Sequence, residues 1–556
     1  GALYSYLANP LAIVNTTFAA NVATTKGGAI TLDKAKAAIN NAIFWGNSAS
    51  SHNAVALTFE SSATVRYSIV ADSCPIGATC TAVTSDNPSF VREPDPGTDG
   101  VWGSFDDDHG DVRLEADSPA VDAGDNSALI LLTTEDITCN ARQVDLPGVV
   151  DTGTGTAPII ALGPYETPPA TLYVDAAAQG TATGLTWTDA FTTVQDALRW
   201  THSGPAEIRI AAGTYAPGNN RGDAFELTNR VKLLGGFPSG GGSGTDRDAQ
   251  ANPTILSGEI GDPTVEDNAY NVMRIAAGSP LRGGTAIEGL TIRGGYGVDA
   301  PLEYASGGGL SLGQQATLTL TDVQITDNAA RQAGGLRMTG GTLTLLGVTF
   351  ARNRADFVGG GMQQTTGSVM MVNARFEMNH SDLRGGGLII EGGGTTAIGN
   401  GVFVGNSSAA AGAIEAGGNL GLVSTTVVSN TGGGIHHPAG DLTVRNSVIW
   451  DNQTYQVDAA DGGTVEDSLI EGGCPAGTTC TRVQDTDPGF RRTPAMGGSG
   501  WGSPGSDAGD LIPGGGSPLI DAGNNAWVTD TPVDVLGHPR RIDVGTVPDT
   551  GIGTAP

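Results

Sequence analysis

Thr349-Phe350-Ala351-Arg352-Asn353, Gly359-Gly360-Gly361-Met362, Arg375-Phe376-Glu377-Met378-Asn379 and Gly385-Gly386-Gly387-Leu388 are consecutive pieces of one repeating phrase. A short apolar/polar alternation ends in Asn, and a Gly-Gly-apolar corner follows. The phrase continues upstream through Gly307-Gly308-Gly309-Leu310, Gln324-Ile325-Thr326-Asp327-Asn328 and Gly334-Gly335-Leu336. Downstream it runs through Val402-Phe403-Val404-Gly405-Asn406 and Gly432-Gly433-Gly434-Ile435. From Asn328 the Asn residues recur at intervals of 25, 26, 27, 24 and 22, ending at Asn430 and Asn452. A fixed short period means one structural unit stacked many times.

Each period holds alternations such as Thr317-Leu318-Thr319-Leu320, bounded by Gly, Asn and Asp, which is the strand signal. No helical face is sustained inside the repeat, so leucine-rich, ankyrin and TPR units do not fit. What remains is an all-β parallel β-helix, a solenoid with about three strands per turn. Equivalent residues then stack at roughly 4.8 Å, and Val, Ile, Leu and Phe form interior columns. Asn and Gly are expected at the corners, where positive φ is needed. Asn328, Asn353, Asn379, Asn406, Asn430 and Asn452 are expected to form a structural ladder of amides. The sequons at Asn379, Asn406 and Asn452 are accordingly expected to face inward and carry no sugar.

The 556 residues include 85 Gly and only 5% aromatics, while 39% are hydrophobic, which suits a solenoid with many corners and a continuous core. No apolar run reaches the length of a membrane span. A net charge of −30 argues against nucleic acid or an anionic membrane as partner. Cys74-Pro75-Ile76-Gly77-Ala78-Thr79-Cys80 and Cys474-Pro475-Ala476-Gly477-Thr478-Thr479-Cys480 are one loop written twice. Two such staples, Cys74 with Cys80 and Cys474 with Cys480, imply an oxidising, extracellular setting. Cys139 has no counterpart, since Gly537 takes its place.

These loops belong to a longer repetition, offset by about 400 residues. Trp102-Gly103-Ser104 matches Trp501-Gly502-Ser503, and Ser118-Pro119-Ala120-Val121-Asp122-Ala123-Gly124 matches Ser517-Pro518-Leu519-Ile520-Asp521-Ala522-Gly523. Asp151–Pro158 matches Asp549–Pro556. Two tandem units are expected: the rear part of a truncated first one over 1–166 and a second over 172–556, with a linker at 167–171 between them. The second divides into a cap over 172–205, coils over 206–470, and a disulfide loop with closing segment over 471–556. The chain is expected to be a window on a longer array. Thr188-Asp189-Ala190-Phe191 should begin a short N-terminal capping helix in the second unit, entered through Trp187, with Phe191, Val194, Ala197 and Leu198 on one face. Ile208–Tyr215 should be the first coil.

Leu172-Tyr173-Val174-Asp175, Ala212-Gly213-Thr214-Tyr215, Leu233-Leu234-Gly235-Gly236-Phe237 and the Gly-Gly-Gly coils resemble bacterial right-handed parallel β-helix surface proteins. The segments at Ser118 and Ser517, with Gly163-Pro164-Tyr165-Glu166 after the first, are similar to the closing module called choice-of-anchor Q. The resemblance implies secretion and display at a bacterial cell surface or in an appendage.

The same fold serves pectin-degrading enzymes, whose sites carry Asn-x-Asp, Asp-Asp, Gly-His-Gly and Arg-x-Lys on successive coils. Asp106-Asp107-Asp108-His109-Gly110 is the nearest stretch, but its counterpart is Ser506-Asp507-Ala508-Gly509. Arg337, Arg352, Arg354 and Arg384 do not align into a basic group. His436-His437 is expected at a surface corner. The expectation is therefore a non-enzymatic, structural or adhesive segment, with neighbouring units and surface glycans or cells as partners. The alternative is a β-helix that binds or degrades polysaccharide. No cofactor is required. Calcium is the small ligand that Asp122, Asp125, Asn126, Asp521, Asn524 and Asn525 would suit, the competing reading being an Asx turn that closes the last strand.

Overall fold

The computed structural model describes residues 1–115, 117–129, 135–137, 142–143, 146, 149–167, 171–201, 206–261, 264–275, 281–314, 316–528, 533–540 and 549–553. Cys139 and linker residues 168–170 lie outside them. Residues 1–170 with 199–206 form one compact unit, and 171–198 with 207–556 form a second.

The second unit is a right-handed parallel β-helix. Its longest sheet has 12 strands in parallel order, from Thr171–Val174 to Thr478–Thr481. A 10-stranded sheet runs from Gly213–Tyr215 to Leu469–Ile470, and a nine-stranded one from Phe225–Leu227 to Val457–Ala459. Register is strict: Ile325 pairs with Phe350, Phe350 with Phe376, and Phe376 with Phe403. The three Phe rings stack inside at 4.6 Å between centroids, all fully buried. Parallel in-register stacking puts like residues on top of one another, so one apolar position per period becomes a continuous interior column.

The first unit repeats this architecture on a smaller scale. Leu3–Tyr6, Ile30–Asp33 and Val55–Thr58 form one parallel sheet, and Phe18 stacks on Phe44 at 5.0 Å. Each unit carries one disulfide, Cys74–Cys80 and Cys474–Cys480.

The Asn residues form a buried chain of amides. Asn328 Nδ2 donates to Asn353 Oδ1 at 3.0 Å, Asn353 to Asn379 at 3.0 Å, Asn379 to Asn406 at 2.9 Å, Asn406 to Asn430 at 3.0 Å and Asn430 to Asn452 at 2.8 Å. Each acceptor also takes the backbone N–H of the preceding Asn, and each Nδ2 also reaches a backbone carbonyl such as Phe350 O. The left-handed corner is one residue earlier than expected: Asp327, Arg352, Met378, Ser429 and Asp451 have φ between 53 and 56°. A left-handed non-Gly residue costs roughly 1–2 kcal/mol, which the ladder bonds beside it offset. The Asn is thus chosen for its amide, not for its φ. Asn373, Asn400 and Asn446 do occupy left-handed positions, at a second corner.

Two further expectations are corrected. The helix spans Val194–Trp200 rather than starting at Thr188. Thr193 caps it by bonding Asp196, while Asp189 is held in a turn by Thr181 and Thr186. The stack also begins earlier than Ile208, because Leu172–Val174 already pairs in parallel with Ile208–Ile210.

Candidate functional site

The strand after each Gly-Gly corner has three residues, with the first and third in the core; the middle one is half-buried at Ser311 and Arg337 and buried at Gln363, Ile389 and Glu415. Parallel register threads those middle residues into one column. Arg274, Ser311, Arg337, Gln363, Ile389, Glu415, His436 and Asp458 are successive Cα partners. The glycines make room for it. Gly359 and Gly385 have φ of 72 and 63°, and a Cβ on Gly385 would lie 2.8 Å from Ile389 Cβ. No side chain fits there without pushing the column outward.

At the ends of the column the charges are paired. Arg274 bridges Glu226 at 2.7 Å, and His436 Nδ1 meets Asp458 at 3.0 Å. In the middle the pairing is partial. Gln363 Nε2 donates to Glu391 at 2.9 Å, and Arg384, half exposed, ion-pairs with Glu415. Arg337 Nε, Gln363 Oε1 and Glu415 Oε2 are nevertheless buried without a hydrogen-bond partner. Leaving a buried polar atom unsatisfied costs about 1–3 kcal/mol each, so two on adjacent rungs and a third two rungs on need a reason. Burial pushes the Glu415 carboxyl above its ordinary value, against the pull of Arg384 and His436. Tyr455, whose hydroxyl accepts the Ala411 N–H at 3.0 Å, is pushed up to about 12 by burial. The site therefore offers a carboxyl inclined to hold its proton, a guanidinium without an acidic partner among the described residues, and a free amide oxygen.

Most of these residues escaped the sequence reading. Arg337 stands in the column through the nine-stranded sheet, and Arg384, outside that sheet, ion-pairs with Glu415. Arg352 and Arg354 point elsewhere, to Asp327 and to Asp356 with Asp382. His437 is not at a surface corner: it is fully buried, and only His436 faces out. The signal was present in the residue that immediately follows each Gly-Gly-apolar corner, read down the repeat instead of along the chain.

The other candidates are placed as follows. Asp125 accepts from Ser127 N and Oγ, at 2.9 and 2.6 Å, and Asn126 bonds the carbonyls of Thr156 and Pro158. Asn524 accepts the Ala526 N–H and donates to Asp467. Asp122 and Asp521 are left-handed, and the carbonyl of each receives two N–H groups. Among the described residues no three of His, Cys, Asp and Glu gather in a way that could hold a metal. Asn525 lies beside Asn524 in the same closing turn. Asp106 is lowered to about 2 by hydrogen bonds from Ser104 and Thr98, and Asp108 pairs with Arg92, so that acidic run staples its own loop.

No family model and no curated protein matches the chain, so the likeness of the closing segments to choice-of-anchor Q rests on the residues alone. Among solved structures, the chain is similar to a pectate lyase at 13% identity and a TM-score of 0.36, over 64% of this chain and 91% of that one. It is also similar to a pectin methylesterase from Aspergillus niger at 15% identity and a TM-score of 0.26, over 57% and 86%. Both are carbohydrate-active enzymes, and the expectation of a non-enzymatic chain is withdrawn on that finding. Identities and scores this low transfer no activity and no acting residue. The disulfides fit a secreted protein, and among the described residues no helix is long and apolar enough to cross a membrane.

Proposed function

We propose that the second unit is a secreted carbohydrate-active β-helix that engages polysaccharide along the column from Arg337 to His436. The observation that carries this reading is the row of unpaired buried polar atoms at Arg337, Gln363 and Glu415. A polymer laid along the stack meets a new rung about every 4.8 Å. A sugar carboxylate supplies a partner to the Arg337 guanidinium and hydroxyls reach the exposed Arg384, while Gln363 and Glu415 stay buried. Glu415, whose carboxyl burial pushes above its ordinary value, is the candidate group for delivering a proton to a leaving glycosidic oxygen.

The test is affinity electrophoresis and product analysis on acidic and neutral polysaccharides, with Arg337→Ala, Gln363→Ala and Glu415→Gln beside the parent. Retardation of the parent by an acidic polymer, weakened by Arg337→Ala, supports the reading. New reducing ends or unsaturated products, lost in Glu415→Gln, extend it to cleavage. No retardation by any polymer, or retardation untouched by all three substitutions, overturns it.

A further inference from the structure

Another row of residues runs along a four-stranded sheet built from Tyr296–Gly297, Ala329–Ala330, Arg354–Ala355 and His380–Ser381. Parallel register there puts Arg354 opposite His380, and a single bridge beyond the sheet puts His380 opposite Ser407. The second residues of these strands, Ala355 and Ser381, are buried, so Arg354 and His380 are turned outward. Asp382, two places after His380, is exposed on the same side. His380 Nδ1 lies 2.9 Å from Ser407 Oγ, and His380 Nε2 lies 2.9 Å from Asp382 Oδ1. Asp382 Oδ2 in turn faces Arg354 at 3.7 Å, and Arg354 also meets Asp356 at 3.3 Å.

An ionised carboxylate can only accept, so the proton of the neutral ring sits on Nε2 and Nδ1 is left as an acceptor. The Ser407 hydroxyl is therefore the donor to Nδ1, the arrangement in which an imidazole can take a hydroxyl proton. Three other histidines are bonded, and none of them to a hydroxyl: His436 meets Asp458, His538 meets Asp534, and His437 meets the Gly418 carbonyl. The side chains of His380 and Asp382 are 43% and 45% exposed, so an outside molecule can reach the group. The backbone N–H groups of Ser407 and Ser408 already donate to the carbonyls of Asn379 and Thr431. Those two donors are thus not free to form an oxyanion hole beside the hydroxyl.

We propose that Ser407 is a nucleophile toward small carboxylic esters, with His380 as its general base and Asp382 as the residue that positions the imidazole. The Ser407 oxygen bonds to the acyl carbon while its proton passes to His380 Nδ1. The ester C–O bond then breaks, the leaving alcohol carries that proton away, and the acyl group stays on Ser407. Water, giving a proton to the same imidazole, releases it as the carboxylic acid and returns the proton to Ser407. With the neighbouring N–H groups spent, the reaction is confined to esters of good leaving groups. The proposal stands independently of the polysaccharide reading, because none of these residues belongs to the Arg337 column.

Mixing 4-nitrophenyl acetate with the full chain tests it, read by nitrophenol release and by the intact mass of the quenched protein. A burst of about one nitrophenol per chain is expected, with a single acetyl group that proteolysis maps to Ser407. Ser407→Ala should abolish that label, and His380→Gln should slow its formation by about a hundredfold. Asp382→Asn should slow it by about tenfold or more, because an amide can donate to Nε2 and so favours the proton on Nδ1. Asp382→Glu, which again only accepts, should restore the rate. The mapping uses the parent chain alone, so a variant that fails to fold cannot decide the outcome. No acetyl group on Ser407, or the same labelling of the urea-unfolded chain, overturns the proposal. Labelling by folded His380→Gln or Asp382→Asn at the parent's rate overturns it as well.

Discussion

The asparagine ladder and the outward column from Arg337 to His436 are built by the same device and end in opposite states. Both arise because parallel register puts one residue of each period above the next. In the ladder every oxygen from Asn353 to Asn452 accepts two bonds, and every Nδ2 from Asn328 to Asn430 finds both the next Asn and a carbonyl. In the column Arg337, Gln363 and Glu415 keep unpaired buried atoms. A polar row that only holds a fold together satisfies itself, because each unmade bond lowers stability.

The difference can be broken from either side. Removing the apolar support of the ladder should cost most: Phe376→Ala opens the middle of the ring stack, with an expected loss of about 3–5 kcal/mol in urea unfolding. Asn379→Ala should cost about 2–3 kcal/mol, because it orphans the Asn353 amide and its backbone N–H. Gln363→Ala removes a group of similar size from the column, yet should stay within about 1 kcal/mol of the parent, since it also removes an unpaired oxygen. If it costs as much as Asn379→Ala, the column is structural and the comparison fails.

A pH series sharpens the same contrast. Burial raises the Glu415 carboxyl in the folded chain above its ordinary 4.5. The unfolded chain therefore ionises first, so stability is fully present below that ordinary value and falls as pH rises through the folded one. Glu415→Gln should match the parent near pH 4 and be more stable near neutrality, read from unfolding midpoints at the two ends of that window. A variant less stable than the parent at neutral pH would show that the Arg384 pair outweighs burial.

The smallest effect concerns the closing turns. Asp125 and Asn524 are already used as caps. Chelator should accordingly leave the melting temperature unchanged. A downward shift of several degrees would instead give Asp122, Asp521 and their neighbours a calcium-binding role.

Much of this was legible in the residues. The interval between Asn328, Asn353 and Asn379, with a Gly-Gly corner between each pair, dictates a stacked parallel coil, because no other arrangement buries such short alternations. The doubled Cys loop foretold both disulfides for the same reason of repetition. Position along a period also announces whether a side chain turns in or out.

Which rows meet was decided only by the folded chain. Arg384 reaches Glu415 from a neighbouring coil, 31 residues away in sequence, and Arg337 meets no acid among the described residues. The helix starts at Val194 because Thr193 and Asp189 settle local hydrogen bonds that a periodicity cannot register. Stacking is a property of the repeat and can be read from it. Satisfaction of each polar atom depends on distances across the stack, and those exist only once the coils are closed.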